Sequence, residues 1–508
     1  MKKFILFYLL VFTTSRLFAQ LPDPLLITDG LIAGEAANNS EVMVYRGIPF
    51  AAPPVANNRW RPPQPPASWS GVRDTTEFGP RCVQGGFAPG ADQQLSSEDC
   101  LYLNVFTPAN SQDELLPVMM WIHGGGFFTG TASSNQYDAQ HLAAKGAVVV
   151  TINYRLGTFG FFAHPELTAE SPNNSSGNYA MLDAIAALEW IYDNIAAFGG
   201  DPTNVTIFGE SAGAMAVSSL AASPLARGLV HRAILQSRTE VIGLGFTSNP
   251  QPTLAEAESA GMEQMESFGA SSLSDLRKAS SQEIFEHFPT GGRVVVDGWF
   301  LPEQIAQIYD KGNQHPVYLL AGSNRDEANF FGIGAESIDA YEQMAEQLFG
   351  DLADEFKAQY PANDASSADG AIKQAYNDEM AWLPRKLAKY QSDWGFSSFV
   401  YYFTHEPPGT ERGATHVAEL AYVFNQWDQH PEWLDEDRAL GNAMSQYFVN
   451  FARSSRVNSQ GLPVWPGYTE NEPGNVMIFG DDISVETQML PSSDKLEFFD
   501  KVYETLLK

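Results

Sequence analysis

The stretch that decides the fold reads NVTIFGESAG and runs from Asn204 to Gly213. Its apolar first half is typical of a buried strand, and the small residues that follow it are typical of a helix. A chain that turns sharply from strand to helix holds the central residue in strained dihedral angles and leaves no room for bulk two residues to either side, where glycines stand here. The pattern therefore predicts that Ser211 is presented outward at the N-terminus of a helix.

Outside this stretch, apolar runs alternate with helical patterns. Short runs without polar alternation are buried on both faces, so they predict a mostly parallel sheet that is covered by helices. The predicted strands lie at 117–123, 147–153, 204–209, 232–236, 317–322 and 398–404.

The clearest predicted helix spans 179–198, and a second one spans 212–220. The acidic segments 248–282 and 338–390 also have helical patterns, and we expect them to be insertions that cap the sheet. No internal repeat, low-complexity tract or linker interrupts the sequence. The chain from 20 to 508 is therefore expected to be a single α/β domain.

The first residues are arranged like a secretory signal. Lys2 and Lys3 precede an unbroken apolar run at 4–12, and Ala19 is a small residue suited to cleavage. The run is much shorter than the roughly 20 residues of a membrane-spanning helix. We therefore expect 1–19 to be a signal peptide and the protein to be secreted or periplasmic, without a membrane anchor. The alternative is a buried N-terminal strand or helix.

Charge and cysteine content exclude several classes of protein. The sequence has 61 acidic against 30 basic residues and a net charge of -31, which would repel nucleic acids and anionic membranes. Cys82 and Cys100 are too few for a disulfide scaffold or a four-cysteine zinc site. In an oxidising compartment they could pair with each other; two free thiols are the alternative. Neither a metal nor an organic cofactor is expected, and the sequence does not indicate an oligomeric state.

A glycine-rich loop, HGGGF at 123–127, follows one of the predicted strands. Its three glycines expose consecutive backbone N–H groups, which can bind an oxyanion. The alternatives are a tight turn and a phosphate loop. No GxxxxGK[ST] motif occurs, and the G-x-G-x-x-G spacing is broken at Thr129. Together with the serine turn, the loop favours acyl transfer.

A serine nucleophile needs a general base and an acid that orients the base, and in this kind of fold they follow in the order serine, acid, histidine. His416 stands in a flexible loop before a helix, as a base would, whereas His405 and His430 stand beside prolines and are expected to be structural. Asp326 and Glu327 both follow the strand at 317–322, and position alone does not choose between them.

The chain resembles the type-B carboxylesterase and cholinesterase family of α/β-hydrolases. The resemblance covers nearly the whole chain in the order of that family. It rests on the motifs GIPFA at Gly47, EDCLYLNV at Glu98, HGGGF at His123, INYRLGTFGF at Ile152, GNYAMLDAIAALEWI at Gly177, FGGDPTNVTIFGESAG at Phe198, DGWFLP at Asp297, NRDEANFF at Asn324 and GATHVAELAYVF at Gly413.

This resemblance implies an α/β-hydrolase fold and a serine esterase that acts through an acyl-enzyme. It implies a triad of Ser211, Glu327 and His416, with Glu327 rather than Asp326 as the acid. It also implies a disulfide between Cys82 and Cys100. The further residues that it implies are Gly125, Gly126 and Ala212 for the oxyanion hole, and the structural ion pairs of Arg59 with Glu98 and of Arg155 with Asp183.

The protein is expected to be a carboxylesterase of broad specificity that acts on short or aromatic esters. Cholinesterases surround the choline cation with a tryptophan of the first disulfide loop, a glutamate before the serine and a phenylalanine after the acid. Glu210 and Phe330 match, but the segment between the two cysteines has no tryptophan and only Phe87. Hydrophobic lining is the preferred role for the aromatic residues, which are Phe127, Phe128, Trp299, Phe330 and Phe331. The alternatives are a choline esterase and a binding protein without activity.

Overall fold

The central sheet is built from the apolar runs that the sequence marks as strands. The structure is a computed structural model that describes residues 21–37, 41–85, 96–241, 245–247, 250–469, 474–485 and 490–506. The strands are β1 (Leu25–Ile27), β2 (Gly30–Ala33), β3 (Glu35–Ala36), β4 (Met43–Pro49), β5 (Val72–Asp74), β6 (Arg81–Cys82), β7 (Ser96–Ser97), β8 (Tyr102–Thr107), β9 (Leu116–Ile122), β10 (Val148–Ile152), β11 (Gly200–Glu210), β12 (Arg232–Gln236), β13 (Tyr318–Asn324), β14 (Ser398–Phe403), β15 (Val476–Phe479) and β16 (Ile483–Val485).

Most of these strands form one sheet in the order β16-β15-β14-β13-β12-β11-β9-β10-β8-β4-β3. The strands from β15 to β10 along this order are parallel. Antiparallel pairs close both edges, with β16 at one end and β8, β4 and β3 at the other. The parallel centre brings the carboxyl ends of β9, β11, β12 and β13 to the same edge of the sheet, where α/β folds bind their ligands.

The helices lie between the strands and after them. They are α1 (Gln140–Ala143), α2 (Gly157–Phe161), α3 (Pro165–Glu170), α4 (Tyr179–Asn194), α5 (Ala212–Ala222), α6 (Leu254–Phe268), α7 (Leu273–Lys278), α8 (Ser281–His287), α9 (Ile305–Asp310), α10 (Ala328–Phe331), α11 (Ile338–Phe349), α12 (Ala353–Gln359), α13 (Ala365–Asp393), α14 (Leu420–Val423), α15 (Asp435–Ser454) and α16 (Ser493–Leu506).

Helices cover both faces of the sheet because its central strands are apolar on both sides. Along β9, Val118, Met120 and Ile122 belong to one apolar core, whereas Met119 and Trp121 belong to the other. Helices α4, α5 and α13 bury side chains in the first core, and α1, α14 and α15 bury side chains in the second. This alternation is what a pleated strand with two buried faces requires.

The structure confirms the predicted α/β-hydrolase architecture, with two differences in the helices. The helix predicted over 179–198 ends as α4 at Asn194, and a 3₁₀ turn at Ile195–Phe198 leads to Gly199, whose φ of 79° caps the segment. The segment 338–390 was expected to cap the sheet. Its long helix α13 instead packs directly on β13 and β14 and belongs to the core.

The predicted signal peptide at 1–19 lies outside the described residues, as does Phe87. Among the residues that the structure does describe, no helix has both the length and the apolar character needed to cross a bilayer.

The structure joins Cys82 and Cys100 by a disulfide bond. Arg59 pairs with Glu98, which stands two residues before Cys100, with nitrogen-to-oxygen distances of 2.5 and 2.7 Å. In the same way Arg155 holds both oxygens of the fully buried Asp183, at 2.6 and 2.8 Å. The first pair joins the loop before β5 to the segment before β8, and the second joins the segment after β10 to α4. A bidentate pair fixes orientation as well as distance.

Candidate active site

Ser211 lies at the sharp turn between β11 and α5. Its φ of 55° and ψ of -124° are unusual for a residue with a side chain and mark stored backbone strain. A Cβ atom on Gly213 would lie 1.9 Å from the carbonyl oxygen of Ile122, and one on Gly209 would lie 2.5 Å from the carbonyl carbon of Gly213. Both glycines are therefore required sterically, and the amide of Ser211 is fixed by a 3.0 Å hydrogen bond to the carbonyl of Gln236.

The glycine-rich loop after β9 passes directly beside this serine. A Cβ atom on Gly124 would lie 3.1 Å from Cβ of Ser211. Gly125 and Gly126 are exposed and have φ values of 103° and 65°, which residues with side chains rarely adopt. A Cβ atom on Gly125 would lie 2.1 Å from the carbonyl oxygen of Thr129, whereas Gly126 faces open space. The loop thus presents backbone rather than side chains to the region above Ser211.

Two anchors hold the glycine loop in place. The hydroxyl of Tyr154 donates to the carbonyl of His123 at 2.7 Å, and its ring stacks on that histidine. Burial lowers the pKa of His123 to about 4, so its ring is neutral and Nδ1 donates to the carbonyl of Gly124 at 2.9 Å. On the other side, Oε1 of Gln84 accepts a hydrogen bond from the backbone amide of Gly130 at 2.9 Å, and Nε2 of Gln84 donates to the carbonyl of Gly130 at 2.7 Å. The loop is therefore preorganised, as an oxyanion site must be.

The structure brings His416 and Glu327 together. Nδ1 of His416 lies 2.5 Å from Oε2 of Glu327, and both side chains are buried. The other carboxylate oxygen accepts the backbone amide of Asn324 at 2.9 Å. Asp326 turns away: it pairs with Arg325 and accepts the amide of Ala414 at 2.9 Å. The geometry thus separates the two carboxylates that sequence position leaves equivalent.

Two further buried carboxylates, Glu210 and Glu419, belong to this cluster. Oε1 of Glu210 lies 3.1 Å from Nε2 of His416. Burial, and then the charge of Glu327, raise the pKa of Glu210 well above its usual value. Glu419 accepts hydrogen bonds from the side-chain amide groups of Gln236 at 3.1 Å and of Asn324 at 2.5 Å. Burial, with the charge of Glu210 next, raises the pKa of Glu419 to about 8.

Glu419 is the residue of this cluster that the sequence analysis missed. A signal was present, because Glu419 stands three residues after His416 just before α14, and residues three apart on a helical turn share a face. Gln236 and Asn324 were missed as well. They end β12 and β13, so the parallel sheet brings them to the same edge as Ser211.

The buried Glu419 leads to a prediction for stability. Its pKa is raised in the folded state, so the folded protein is favoured at low pH, and that contribution is lost as pH rises through about 8. Glu419→Gln mimics the protonated form. We expect the substitution to raise Tm at pH 8.5 by about 2–4 °C relative to the native protein.

Differential scanning fluorimetry at pH 5 and pH 8.5 measures this effect. At pH 5 most of the gain should be absent, because Glu419 is then neutral in the folded protein and the pH lies close to the ordinary pKa of 4.5 that it has in the unfolded chain. An equal change in Tm at both pH values would contradict a raised pKa at Glu419.

Of the aromatic residues that were expected to line the site, two pack against the histidine. The rings of Phe330 and Phe331 lie 5.3 and 4.6 Å from that of His416, and they are 47% and 45% exposed. Large apolar side chains with so much exposure are suited to contact a bound molecule. They belong to α10, which follows Glu327 directly.

The other aromatic residues lie elsewhere. Phe127 is 1% exposed and packs on Phe161 beneath the glycine loop, because its φ of 55° turns the side chain into the core. Phe128 stacks on Phe285 at 5.8 Å. Trp299 is half-buried in a loop, and its backbone amide donates to Oδ1 of Asp297 at 3.1 Å. Its side chain packs against the first apolar core.

The remaining histidines have structural partners. His405 lies between Asp437 at 2.7 Å and Asp481 at 3.1 Å, and His430 stacks on Trp433. Across the described ranges, no group of three or more His, Cys, Asp or Glu side chains is placed to hold a metal ion. The site thus holds a histidine bonded to a buried carboxylate, and its other ring nitrogen lies 3.1 Å from Glu210, the residue before Ser211.

The chain has relatives among known proteins. A sequence model described as the carboxylesterase family matches residues 24–498. The chain is 35% identical to a fumonisin B1 esterase from Sphingopyxis macrogoltabida, covering 94% of this chain and 90% of that protein. It is 34% identical to a para-nitrobenzyl esterase from Bacillus subtilis, covering 92% of this chain and 96% of that protein. A solved structure of a PNB esterase superposes with a TM-score of 0.79 and 31% identity, covering 94% of this chain and 100% of the other.

Proposed function

The chain belongs to the carboxylesterase family and hydrolyses carboxylic esters as a serine-type hydrolase, and we propose that Ser211, His416 and Glu327 are its catalytic residues. The observation that carries the proposal is the contact between Nδ1 of His416 and Oε2 of Glu327, on a histidine whose Nε2 lies 3.1 Å from Glu210, the residue before Ser211. The alternative of a binding protein without activity would require a broken triad, and all three residues are present.

In the first step His416 takes the proton of the Ser211 hydroxyl as the oxygen attacks the ester carbonyl. The carbonyl carbon becomes tetrahedral and its oxygen carries the negative charge. Nε2 of His416 then gives the proton to the departing alcohol, which leaves an acyl-enzyme on Ser211. In the second step His416 activates a water molecule in the same way, and the acid is released.

Glu327 stays ionised through both steps. It accepts the Nδ1 proton of His416, which leaves Nε2 free to act as the base, and it stabilises the imidazolium that forms. The backbone amide of Asn324 holds the other carboxylate oxygen and so orients the pair.

The oxyanion is stabilised by the backbone N–H groups of Gly125, Gly126 and Ala212. Ala212 is the first residue of α5, so its N–H has no partner within the helix, and the helix dipole favours negative charge at this end. The anchors at His123 and Gln84 support this role, because donors that are fixed beforehand stabilise charge without reorganisation.

Glu210, Phe330 and Phe331 border the alcohol side of the bound ester. All three lie against His416, which must reach the oxygen of the leaving alcohol. We propose uncharged esters as the substrates. A cationic alcohol would find two phenylalanines here, and phenylalanine attracts a cation less strongly than tryptophan does.

Matched substrates test the preference for uncharged alcohols. In 3,3-dimethylbutyl acetate a carbon atom replaces the cationic nitrogen of acetylcholine, while the shape and the acid stay the same. We expect the two esters to have kcat/KM values within about threefold of each other, because an exposed cation–π contact adds little. A preference of about tenfold or more for acetylcholine would favour the choline esterase instead, and failure to hydrolyse any simple acetate would contradict the proposed function.

We further propose that residues 1–19 are a signal peptide, that 20–508 form one domain, and that the protein is secreted or periplasmic. The disulfide between Cys82 and Cys100 supports this, since such bonds persist in oxidising compartments. N-terminal sequencing of the exported protein tests it: a mature chain that still begins at Met1 would contradict the signal.

A further inference from the structure

Asn324, the last residue of β13, lies between the acid Glu327 and the loop that carries His416. It is fully buried. Its backbone amide donates to Oε1 of Glu327 at 2.9 Å. Its side-chain nitrogen Nδ2 donates to the carbonyl oxygen of Thr415, the residue before His416, at 2.7 Å. One residue therefore contacts both the acid and the backbone next to the histidine.

The side-chain amide of Asn324 binds both ends of the turn that carries His416. A primary amide nitrogen has two hydrogens to donate. One is directed to the carbonyl of Thr415 and the other to Oε2 of Glu419, at 2.5 Å. Thr415 and Glu419 stand on either side of His416 in the sequence. The carbonyl of Thr415 also accepts the amide of Ala418 at 2.9 Å, which closes the turn.

The orientation of this amide follows from its partners. A carbonyl oxygen can only accept a hydrogen bond, so the nitrogen and not the oxygen of the Asn324 side chain must face Thr415. The same nitrogen faces Glu419. The side chain thus has one arrangement that satisfies both contacts, and that arrangement fixes the turn relative to the end of β13.

The rest of the loop before the histidine is attached to the same segment at residues farther from it. The backbone amide of Asp326 donates to the carbonyl of Ala414 at 2.9 Å, and the side-chain amide of Asn329 donates to the carbonyl of Arg412 at 3.0 Å. Of these contacts, that of Asn324 lies nearest to the histidine in the sequence. Its loss should therefore affect the imidazole more than the loss of either of the others.

The place of the backbone matters because Nε2 of His416 must reach two oxygens in turn, that of Ser211 and that of the leaving alcohol. The bond from Nδ1 to Glu327 fixes only one end of the ring. The position of Nε2 also depends on where the turn holds the backbone of His416. A base has to lie within hydrogen-bond reach of the proton it moves, and a misplacement of about 1 Å can cost about 10²-fold in rate.

We propose that Asn324 is a positioning residue for His416: its side chain holds the turn at Thr415 and Glu419 so that Nε2 can deliver its proton to the leaving alcohol. This rests on the proposed function, because it takes His416 as the base. Delivery of the proton matters most for a poor leaving group. Ethoxide must receive a proton as it departs, whereas p-nitrophenolate departs without one.

Comparing two acetates with different leaving groups tests the proposal. Asn324→Leu keeps most of the bulk of the side chain and removes both donors, while the backbone amide that holds Glu327 stays. We expect kcat/KM to fall by about tenfold for p-nitrophenyl acetate and by about 100-fold for ethyl acetate. Initial rates of p-nitrophenol release and of acid release in a pH-stat measure the two values.

The ratio of the two kcat/KM values separates positioning from a merely structural role. Both esters form the same acetyl-enzyme, and a loss of folded protein lowers both values by the same factor. A change in the ratio therefore reports the departure of the leaving group. Asn324→Ala removes the same donors without placing apolar atoms against Glu419, and the ratio should widen in this variant as well.

Asn450→Leu is the matched control. Asn450 is a buried residue of α15 whose Nδ2 also makes two hydrogen bonds, to the carbonyl of Val457 at 2.9 Å and to the hydroxyl of Ser459 at 3.1 Å. None of these residues belongs to the proposed site. We expect this variant to be less stable and to keep the ratio within about twofold of the native value.

An unchanged ratio in folded Asn324→Leu and Asn324→Ala would overturn the proposal while the proposed function stands, because the side chain would then support the fold alone. Failure of both variants to fold would overturn it for the same reason. An equal widening of the ratio in Asn450→Leu would overturn it too, since any buried asparagine would then have this effect. A native enzyme inactive on both acetates would overturn the proposed function, and this proposal with it.

Discussion

Replacing Ser211 with alanine is expected to lower kcat/KM for p-nitrophenyl acetate by about 10⁴–10⁶-fold. The hydroxyl is the only atom that can form the acyl-enzyme at the strained turn, so its loss removes the covalent route completely. Activity that is left would come from the oxyanion donors and from substrate binding alone, which still exceed the rate in water. Initial rates of p-nitrophenol release measure the effect. Circular dichroism establishes that the variant is folded like the native protein.

Ser219→Ala is a matched control for this substitution. Ser219 is a buried serine of the same helix α5, and its hydroxyl donates to the backbone carbonyl of Met215 at 2.8 Å. This variant should keep activity within about twofold, since the hydroxyl contacts the helix and not the reacting atoms. Activity of Ser211→Ala above a few per cent of the native value would rule out Ser211 as the nucleophile.

Replacing Glu327 with glutamine is expected to lower kcat by about 10³–10⁴-fold. The new side-chain amide would keep its oxygen toward the backbone amide of Asn324 and turn its NH₂ toward Nδ1 of His416. The histidine would then carry its proton on Nε2 and could not accept one from Ser211, which is the known cost of the wrong tautomer. The expected loss is therefore in kcat, with KM changed little.

Asp326→Asn is the control, because it changes the neighbouring carboxylate in the same way. Asp326 accepts the amide of Ala414 and pairs with Arg325, away from His416, and asparagine keeps an acceptor oxygen. We expect this variant to retain kcat within about threefold. If Asp326→Asn lost activity and Glu327→Gln kept it, the assignment of the acid would be wrong.

The parts of the fold that the sequence predicted well are those with local causes. Each central strand is apolar on both faces, and the turn at Ser211 needs glycine at 209 and 213 because Ile122 and the turn's own backbone leave no space. The pairing of His416 with Glu327 spans 89 residues and depends on how the parallel strands align their ends. The residues alone therefore left Asp326 and Glu327 equivalent, and only the family resemblance chose between them.

Other features could not be predicted because they arise from tertiary packing. Phe127 was expected to line the site, but the left-handed backbone at this residue turns its ring into the core. The sequence of α13 is polar enough to suggest a cap, yet one of its faces packs on β13 and β14. The position of Glu419, three residues after His416, was visible in the sequence, but its raised pKa was not, because it comes from burial and from the charge of Glu210.

The central claim is that Ser211 forms a covalent acyl-enzyme with the help of His416. Intact-mass spectrometry after treatment with a fluorophosphonate tests this most directly, because the reagent phosphonylates only an activated serine. We predict one adduct per chain, located by peptide mapping on the peptide that contains Ser211 and absent from Ser211→Ala. A native protein that stays unlabelled, or an adduct that persists in Ser211→Ala, would contradict the account.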